Sequence, residues 1–202
     1  GQLGANRAKQ EGPDTIVKFL FTSGSTGVPK AVITTQRMIC SNNQMLAQAW
    51  RFLDRRPPVL VDWLPWSHVF GGNCSVGFAL RSGGTLYIDD GKPMQADIGR
   101  TIRNLREISP TVYFNVPRGF DFIAAELRKD DALRKRFFAD MDMMFYAAAS
   151  LPEHLWKLLA GMAEESSGTP ASMLTGWGLT ETAPAILLLH EHGALPGNLG
   201  AP

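Results

Sequence analysis

Short apolar runs alternate with amphipathic stretches along most of this chain. Runs rich in β-branched and aromatic residues predict strands, and stretches with apolar residues every three or four positions predict helices. The predicted strands span 15–23, 31–35, 59–65, 85–89, 111–116, 141–148 and 171–177. The predicted helices span 36–52, 71–81, 95–108, 118–130, 131–138 and 153–166. This succession predicts an α/β fold with a largely parallel sheet flanked by helices, preceded by a flexible entry over 1–14.

The composition fits a globular domain and excludes several classes of protein. Of the 202 residues, 45% are hydrophobic, which is enough for a substantial core, and the formal net charge is only +1. A balanced charge gives no support for binding of nucleic acid or of an anionic membrane surface. Cys40 and Cys74 form no CxxC pair, and no apolar run reaches the ~20 residues that a membrane helix needs. We therefore expect a cytoplasmic protein without a disulfide framework.

A Gly-rich loop, FTSGSTGVPK at 21–30, separates the first two predicted strands and indicates a hairpin. Small residues let a ligand approach the backbone, free N–H groups bind anions, and hydroxyl groups and a lysine add donors and charge. The residues concerned are Thr22, Ser23, Gly24, Ser25, Thr26, Gly27 and Lys30. They suit a polyphosphate, although Pro29 before the lysine and Ala31 after it exclude a Walker P-loop. The alternative is a plain surface turn.

A second loop, GWGLTETA at 176–183, follows the last predicted strand. It offers an aromatic face in Trp177, a hydroxyl group in Thr180 and a carboxylate in Glu181. A carboxylate beside phosphates is repulsive unless a cation lies between them, and Mg²⁺ is held by one or two carboxylates together with substrate phosphates. The tryptophan could stack on a base. Alternatively, Trp177 packs in the core and Glu181 is the charge at a helix N-terminus.

Four segments, in their order along the chain, resemble the motifs of adenylate-forming enzymes, which include acyl- and aryl-CoA synthetases. The segments are FTSGSTGVPKA (21–31), LPWSHVFGG (64–72), YAAASLP (146–152) and GWGLTETA (176–183). The resemblance begins at residue 15 and implies a partial AMP-binding domain over 15–202, within the large N-terminal domain of such an enzyme. DWLPWSHVFGGN and GGTLYIDDGKP look most like bacterial feruloyl-CoA synthetases.

The resemblance implies a nucleotide site made of three of these segments. The residues implied to contact ATP are Thr22, Ser23, Gly24, Ser25, Thr26, Gly27, Lys30, Ala147, Ala148, Trp177, Gly178 and Thr180. Within this set the Gly-rich loop would wrap the phosphates and the tryptophan would pack near adenine, where the family more often has tyrosine. Alanines at 147 and 148 replace the family's usual glycines and are expected to narrow the pocket slightly.

Catalytic and acid-binding roles are also implied by the resemblance. The implied catalytic residues are Lys30, Thr180 and Glu181, with Glu181 binding Mg²⁺. The implied acid pocket includes His68, Phe70, Gly71 and Ala149. A histidine beside aromatic residues can equally be a packed, hydrogen-bonded residue, so both interpretations of His68 stay open. The pair in HEH (190–192) is expected to lie on a surface loop, since no third metal ligand is apparent.

The implied activity is the ATP- and Mg²⁺-dependent conversion of a carboxylic acid, such as the hydroxycinnamic acid ferulate, into an acyl-adenylate and then a coenzyme A thioester. Alternatives are a medium-chain fatty acyl-CoA synthetase and a non-catalytic nucleotide-binding module. The family's N-terminal segment, ribose-binding aspartate and C-terminal catalytic lysine have no counterpart in this sequence. We therefore expect this chain alone to be inactive or nearly so, and to expose apolar edges that favour self-association.

Overall fold

The computed structural model describes residues 11–23, 27–169, 171–190 and 197–202. The strands are β1 (Ile16–Thr22), β2 (Lys30–Thr35), β3 (Val59–Asp62), β4 (Thr85–Ile88), β5 (Val112–Asn115), β6 (Met143–Tyr146), β7 (Ser172–Gly178) and β8 (Ala185–Leu188). The α-helices are α1 (Gln36–Ala49), α2 (Val76–Arg81), α3 (Ile98–Glu107), α4 (Pro117–Leu127), α5 (Asp131–Phe138) and α6 (Glu153–Ser167). Short 3-10 turns at Arg51–Asp54 and Thr180–Thr182 and a π-helical turn at Phe70–Ser75 complete the described elements.

A six-stranded sheet in the order β4-β3-β5-β6-β7-β8 forms the centre of the fold. Strands β3 to β7 pair in parallel and β8 is antiparallel to β7 at one edge. Helices connect successive parallel strands, as crossover connections require. The α/β fold with a mostly parallel sheet flanked by helices, predicted from the sequence, is thereby confirmed.

Alternate side chains of the sheet point to opposite faces and pack into two apolar cores, one on each face. Leu60, Phe114 and Phe145 face α1 and α2, where Trp50 and Phe78 are fully buried. The opposite core holds the alternate strand residues with those of the remaining helices: Val61, Tyr113, Met144, Ile102, Ile123, Phe137 and Leu159. Strands β5 and β6 are buried along their whole length, since helices cover both faces of a parallel sheet.

The Gly-rich segment lies between two antiparallel strands, as the hairpin prediction required. β1 pairs with β2 in a separate two-stranded sheet, with Thr22 opposite Lys30 beside the loop. The outer face of this hairpin exposes Val17, Phe19 and Ile33 to solvent. An exposed apolar face of this kind is consistent with the predicted self-association, which stays a prediction.

Several predicted elements differ from the observed ones by up to three residues at an end, among them the strand expected over 59–65, which ends at Asp62. Three further differences concern α1, the segment 71–81 and β8. Helix α1 ends at Ala49 rather than at 52, and the chain passes through a 3-10 turn. The helix expected over 71–81 divides into the π-helical turn and α2. Strand β8 was not predicted; its residues take the strand conformation because β7 offers a free edge. Among the described helices, none is long and apolar enough to cross a membrane.

Candidate active site

Two neighbouring parallel strands bring distant motifs together at one edge of the sheet. Tyr146 at the end of β6 pairs with Thr175 in β7, and the Thr175 hydroxyl donates to the Tyr146 carbonyl at 2.7 Å. The alanine segment that follows β6 therefore lies beside Trp177 and Gly178 at the end of β7. Ligands of open α/β sheets bind at the carboxyl ends of the strands, which is where these segments meet.

A cavity of about 540 Å³ opens at this edge. The predicted site residues that line it are His68, Phe70, Ala147, Ala148, Ala149, Trp177, Gly178 and Thr180. No aspartate, glutamate, lysine or arginine among the described residues lines the cavity. The three segments that the sequence associated only by resemblance thus share one largely apolar space.

His68 lies on the turn that leads from β3 into the π-helical turn. Its backbone N–H donates to the Pro65 carbonyl at 3.0 Å, and its Nδ1 accepts the Phe70 N–H at 3.1 Å. Because Nδ1 is the acceptor, the proton of the neutral ring lies on Nε2. The side chain is exposed and lines the cavity. His68 is therefore hydrogen-bonded and also accessible to a ligand, so both interpretations of it stay open.

Gly71 allows the backbone of the same turn to approach closely. A Cβ atom at this position would lie 2.5 Å from the Pro65 carbonyl oxygen and 2.7 Å from that of Leu64. Gly71 is buried and is absent from the cavity wall. Gly71 therefore lies where the turn folds back against Leu64 and Pro65. Its neighbour Phe70 lines the cavity, and Gly71 does not.

The Thr180–Thr182 turn is held by its own backbone and side chains. The Leu179 N–H donates to the Thr182 hydroxyl at 2.9 Å, and that hydroxyl also donates to the Leu179 carbonyl at 3.0 Å. Thr180 lines the cavity, whereas Glu181 is exposed and lies outside its wall. Within the described residues Glu181 makes no ion pair, and no three His, Cys, Asp or Glu side chains cluster as a metal site.

The hairpin of β1 and β2 approaches the same turn. Strand β2, which begins at Lys30, contacts the Thr180–Thr182 turn. Lys30 and Thr22 are opposite each other where the strands end, and the Thr22 hydroxyl donates to the Lys30 carbonyl at 3.5 Å. Ser23 and Gly27, with φ of 81° at Gly27, border the loop outside the cavity wall. The predicted residues Gly24, Ser25 and Thr26 lie outside the described part of the chain.

Sequence reasoning missed the apolar part of the wall. Leu46 of α1, Cys74 of the π-helical turn, Phe145 of β6 and Leu188 of β8 all line the cavity. They come from four elements, so no local spacing connects them. Burial raises the pKa of the Cys74 thiol well above its usual value, which keeps it protonated and a poor nucleophile.

Sequence reasoning also missed a buried carboxyl group at the end of β3. Asp62 ends β3, is 3% exposed, and neither of its carboxylate oxygens has a hydrogen-bond partner of ordinary geometry within the described residues. Burial is the main reason that its pKa rises from 3.8 to about 7. Ser75 and the Leu64 backbone oppose this rise in pKa and the charge of Asp89 adds to it. The group lies outside the cavity wall.

Comparisons with known proteins agree with this geometry. The family model described as "AMP-binding enzyme" matches residues 2–202. A 4-coumarate–CoA ligase of Oryza sativa subsp. japonica is 26% identical over 87% of this chain and 30% of its own length. A long-chain fatty acid–CoA ligase of Drosophila melanogaster is 28% identical over 74% of this chain and 21% of its own.

A solved structure of similar fold is a malonyl-CoA ligase in complex with methylmalonyl-CoA and AMP. It matches with a TM-score of 0.74 and 25% identity, over 95% of this chain and 38% of that protein. The chain thus spans less than half the length of each of these relatives. The fold around the cavity is therefore shared with ligases that differ in the acids named for them.

Proposed function

Because the chain belongs to the AMP-binding enzyme family, whose model it matches over residues 2–202, we propose that it is the nucleotide- and acid-binding part of an acyl-CoA synthetase. The acid is activated with ATP and Mg²⁺ to an acyl-adenylate, which coenzyme A then converts into a thioester. The preferred acid is a hydroxycinnamic acid such as ferulate. The observation that carries the proposal is the single cavity shared by the His68 turn, the alanine segment after β6 and the Trp177–Thr180 segment.

The proposed chemistry needs placement and charge neutralisation more than a protein nucleophile. A carboxylate oxygen of the acid forms a bond to the α-phosphorus of ATP while the bond to pyrophosphate breaks. The sulfur of coenzyme A then bonds to the acyl carbon, its thiol proton passes to solvent, and the bond to AMP breaks with its electrons leaving on the phosphate. Trp177 is half-exposed in the cavity, where its ring can stack on adenine, and Thr180 can donate to the α-phosphate.

Lys30 and Glu181 supply the charges outside the cavity wall. Both are exposed on elements that contact each other, and neither makes an ion pair within the described residues. Lys30 would neutralise phosphate charge as the negative leaving group forms. Glu181 is a single carboxylate, which fits Mg²⁺ because that ion takes most of its ligands from phosphates and water. The bound ion would neutralise the phosphates; the protein would hold it through Glu181.

The cavity favours a monocarboxylic acid with an uncharged body. A second carboxylate inside it would find no lysine or arginine side chain among the lining residues that the structure describes, and a buried unpaired charge is costly. This argues against a dicarboxylic acid such as malonate. Phe70 and Phe145 are aromatic residues of the cavity wall, and they give an aromatic acid apolar surface to pack against. An apolar wall also accommodates an alkyl chain, so a medium-chain fatty acid is the second candidate, as the similarity to a fatty acid–CoA ligase suggests.

Binding, rather than turnover, is the decisive measurement, since the chain spans 30% of the similar 4-coumarate–CoA ligase. The probes are stable sulfamoyl analogues of feruloyl-, octanoyl- and malonyl-adenylate, titrated into the chain by calorimetry. The proposal expects the feruloyl analogue to bind most tightly and the malonyl analogue most weakly. Tighter binding of the octanoyl analogue would keep the proposed acid activation and make a medium-chain fatty acid, rather than a hydroxycinnamic acid, the preferred acid. If none of the three binds, and Mg²⁺–ATP does not bind either, the proposal of a nucleotide-dependent ligase is wrong.

A further inference from the structure

The backbone of Ala148 adopts a conformation that disfavours alanine. Its φ is 75°, in the left-handed region that glycine enters freely and that crowds a Cβ atom against the backbone. Ala148 belongs to the segment that leaves β6 and lines the cavity. A glycine at this position would make the same turn without the crowding. The methyl group therefore carries a cost in stability that something else must explain.

Core packing does not offset that cost. Ala148 is exposed, and it belongs to neither of the two apolar cores. Ala183, the other described non-glycine residue with a positive φ, contrasts with it because Ala183 is buried at 2% exposure. Strained residues cluster at ligand sites, where the strained atom contributes to function rather than to stability. Ala148 is exposed and lines the cavity, so a contribution of its methyl group to the shape of that space is the natural candidate.

We propose that the Ala148 methyl group is a specificity determinant that narrows the cavity to acids that are flat next to the reacting carboxylate. The inference rests on the proposed function. Ala147, Ala149 and Trp177 line the same cavity, so the methyl group adds to a wall of small side chains beside a broad ring. A conjugated acid presents only the thickness of a π system there. An acid with tetrahedral carbons in the same place is thicker and meets the methyl group.

The first test is stability. Ala148→Gly removes the crowding and exposes no core, so the variant is expected to melt about 1–3 °C above the wild-type chain. Gly168→Ala is the matched control, because Gly168 has φ of 74° and open space around its Cα, at the end of α6. It creates an alanine in the same conformation away from the cavity and is expected to lower the melting temperature by a similar amount. A lower melting temperature for Ala148→Gly would show that the methyl group is needed for packing and would overturn the inference.

The second test is selectivity. Sulfamoyl analogues of feruloyl- and dihydroferuloyl-adenylate differ only in the double bond beside the acyl carbon, and both are titrated into each variant. The wild-type chain is expected to prefer the flat feruloyl analogue. In Ala148→Gly that preference is expected to fall about tenfold, the effect of a methyl-sized change in a pocket, while Gly168→Ala keeps the wild-type preference.

The outcomes separate the two proposals. If the wild-type chain binds the analogues and Ala148→Gly keeps the same preference, the role of the methyl group is refuted and the proposed function stands. If the wild-type chain binds neither analogue, the hydroxycinnamic acid part of the proposed function fails and takes this inference with it, whereas acid activation as such is judged by the octanoyl analogue and Mg²⁺–ATP.

Discussion

The side-chain amide of Asn42 pairs with the backbone of Ala185 much as a neighbouring strand would. Its Nδ2 donates to the Ala185 carbonyl at 3.0 Å, and its Oδ1 accepts the Ala185 N–H at 3.4 Å. The same Nδ2 also donates to the Thr182 carbonyl at 3.3 Å. Asn42 lies on α1 and is 3% exposed. The helix that follows the hairpin of β1 and β2 is thereby fixed to the loop that carries Thr180 and Glu181.

Replacing Asn42 by leucine is expected to destabilise the chain by about 1–3 kcal/mol, because two partly buried carbonyls and one N–H lose their partner. Chemical denaturation monitored by circular dichroism measures the change. Gln44→Ala on the same helix is the control, since Gln44 is exposed and bonds only the exposed Arg81 side chain. Equal effects of the two substitutions would contradict a special role for Asn42.

Asp62 gives the chain a pH dependence of defined sign. Its pKa is raised from 3.8 to about 7 in the folded state, so the folded protein holds this proton more tightly than the unfolded chain does. The contribution to stability is therefore fully present below pH 4 and is lost as the pH rises through about 7, by about 4 kcal/mol in total.

The variant Asp62→Asn removes this titration. It is expected to be more stable than the wild-type chain at pH 8 and similar to it near pH 4, measured as the denaturation free energy at each pH. Asp14→Asn, a substitution at an exposed residue, serves as the control and should keep the wild-type slope between these pH values. A wild-type slope in Asp62→Asn would contradict the assignment.

Two helical glycines are expected to respond in opposite ways to alanine. A Cβ atom at Gly119 in α4 would lie 2.1 Å from Oδ1 of Asn115, the atom that accepts the Trp63 indole N–H and the Val116 N–H. Gly119→Ala is therefore expected to cost about 1–3 kcal/mol. Gly161 in α6 has open space around it, so Gly161→Ala should stabilise the chain by about 0.5–1 kcal/mol. The melting temperatures of both variants test the prediction. A lower melting temperature for Gly161→Ala as well as for Gly119→Ala would contradict it.

Lys30 is expected to contribute to nucleotide binding through its charge. Lys30→Met keeps much of the aliphatic stem and should weaken Mg²⁺–ATP binding about tenfold, the typical loss of a hydrogen bond to a charged group. Lys135→Met on α5, an exposed residue on the opposite face of the sheet, should leave the affinity unchanged. Titration calorimetry on both variants gives the comparison, and an unaltered affinity in Lys30→Met would exclude a role for its ammonium group.

Neighbours along the chain account for the local elements. The apolar run at β6, Met143–Tyr146, is buried along its length, the Thr35 side chain caps the start of α1, and Pro117 begins α4. Hydroxyls, glycines and a lysine in one loop suit either phosphate binding or a plain surface turn by residue chemistry alone, and phosphate binding stays a prediction. These properties depend on neighbours along the chain, so sequence reasoning can read them.

The three-dimensional packing sets which distant residues share a wall and what each environment costs. Leu46 and Leu188 both line the cavity because α1 and β8 pack on the same sheet face. The carboxyl group of Asp62 is shut off from water by the elements packed over β3, and among the described residues its oxygens have no hydrogen-bond partner of ordinary geometry. The positive φ of Ala148 is imposed by the path from β6 past the cavity, against the preference of alanine itself. Burial and backbone strain arise from contacts between residues far apart in sequence, and local patterns do not contain them.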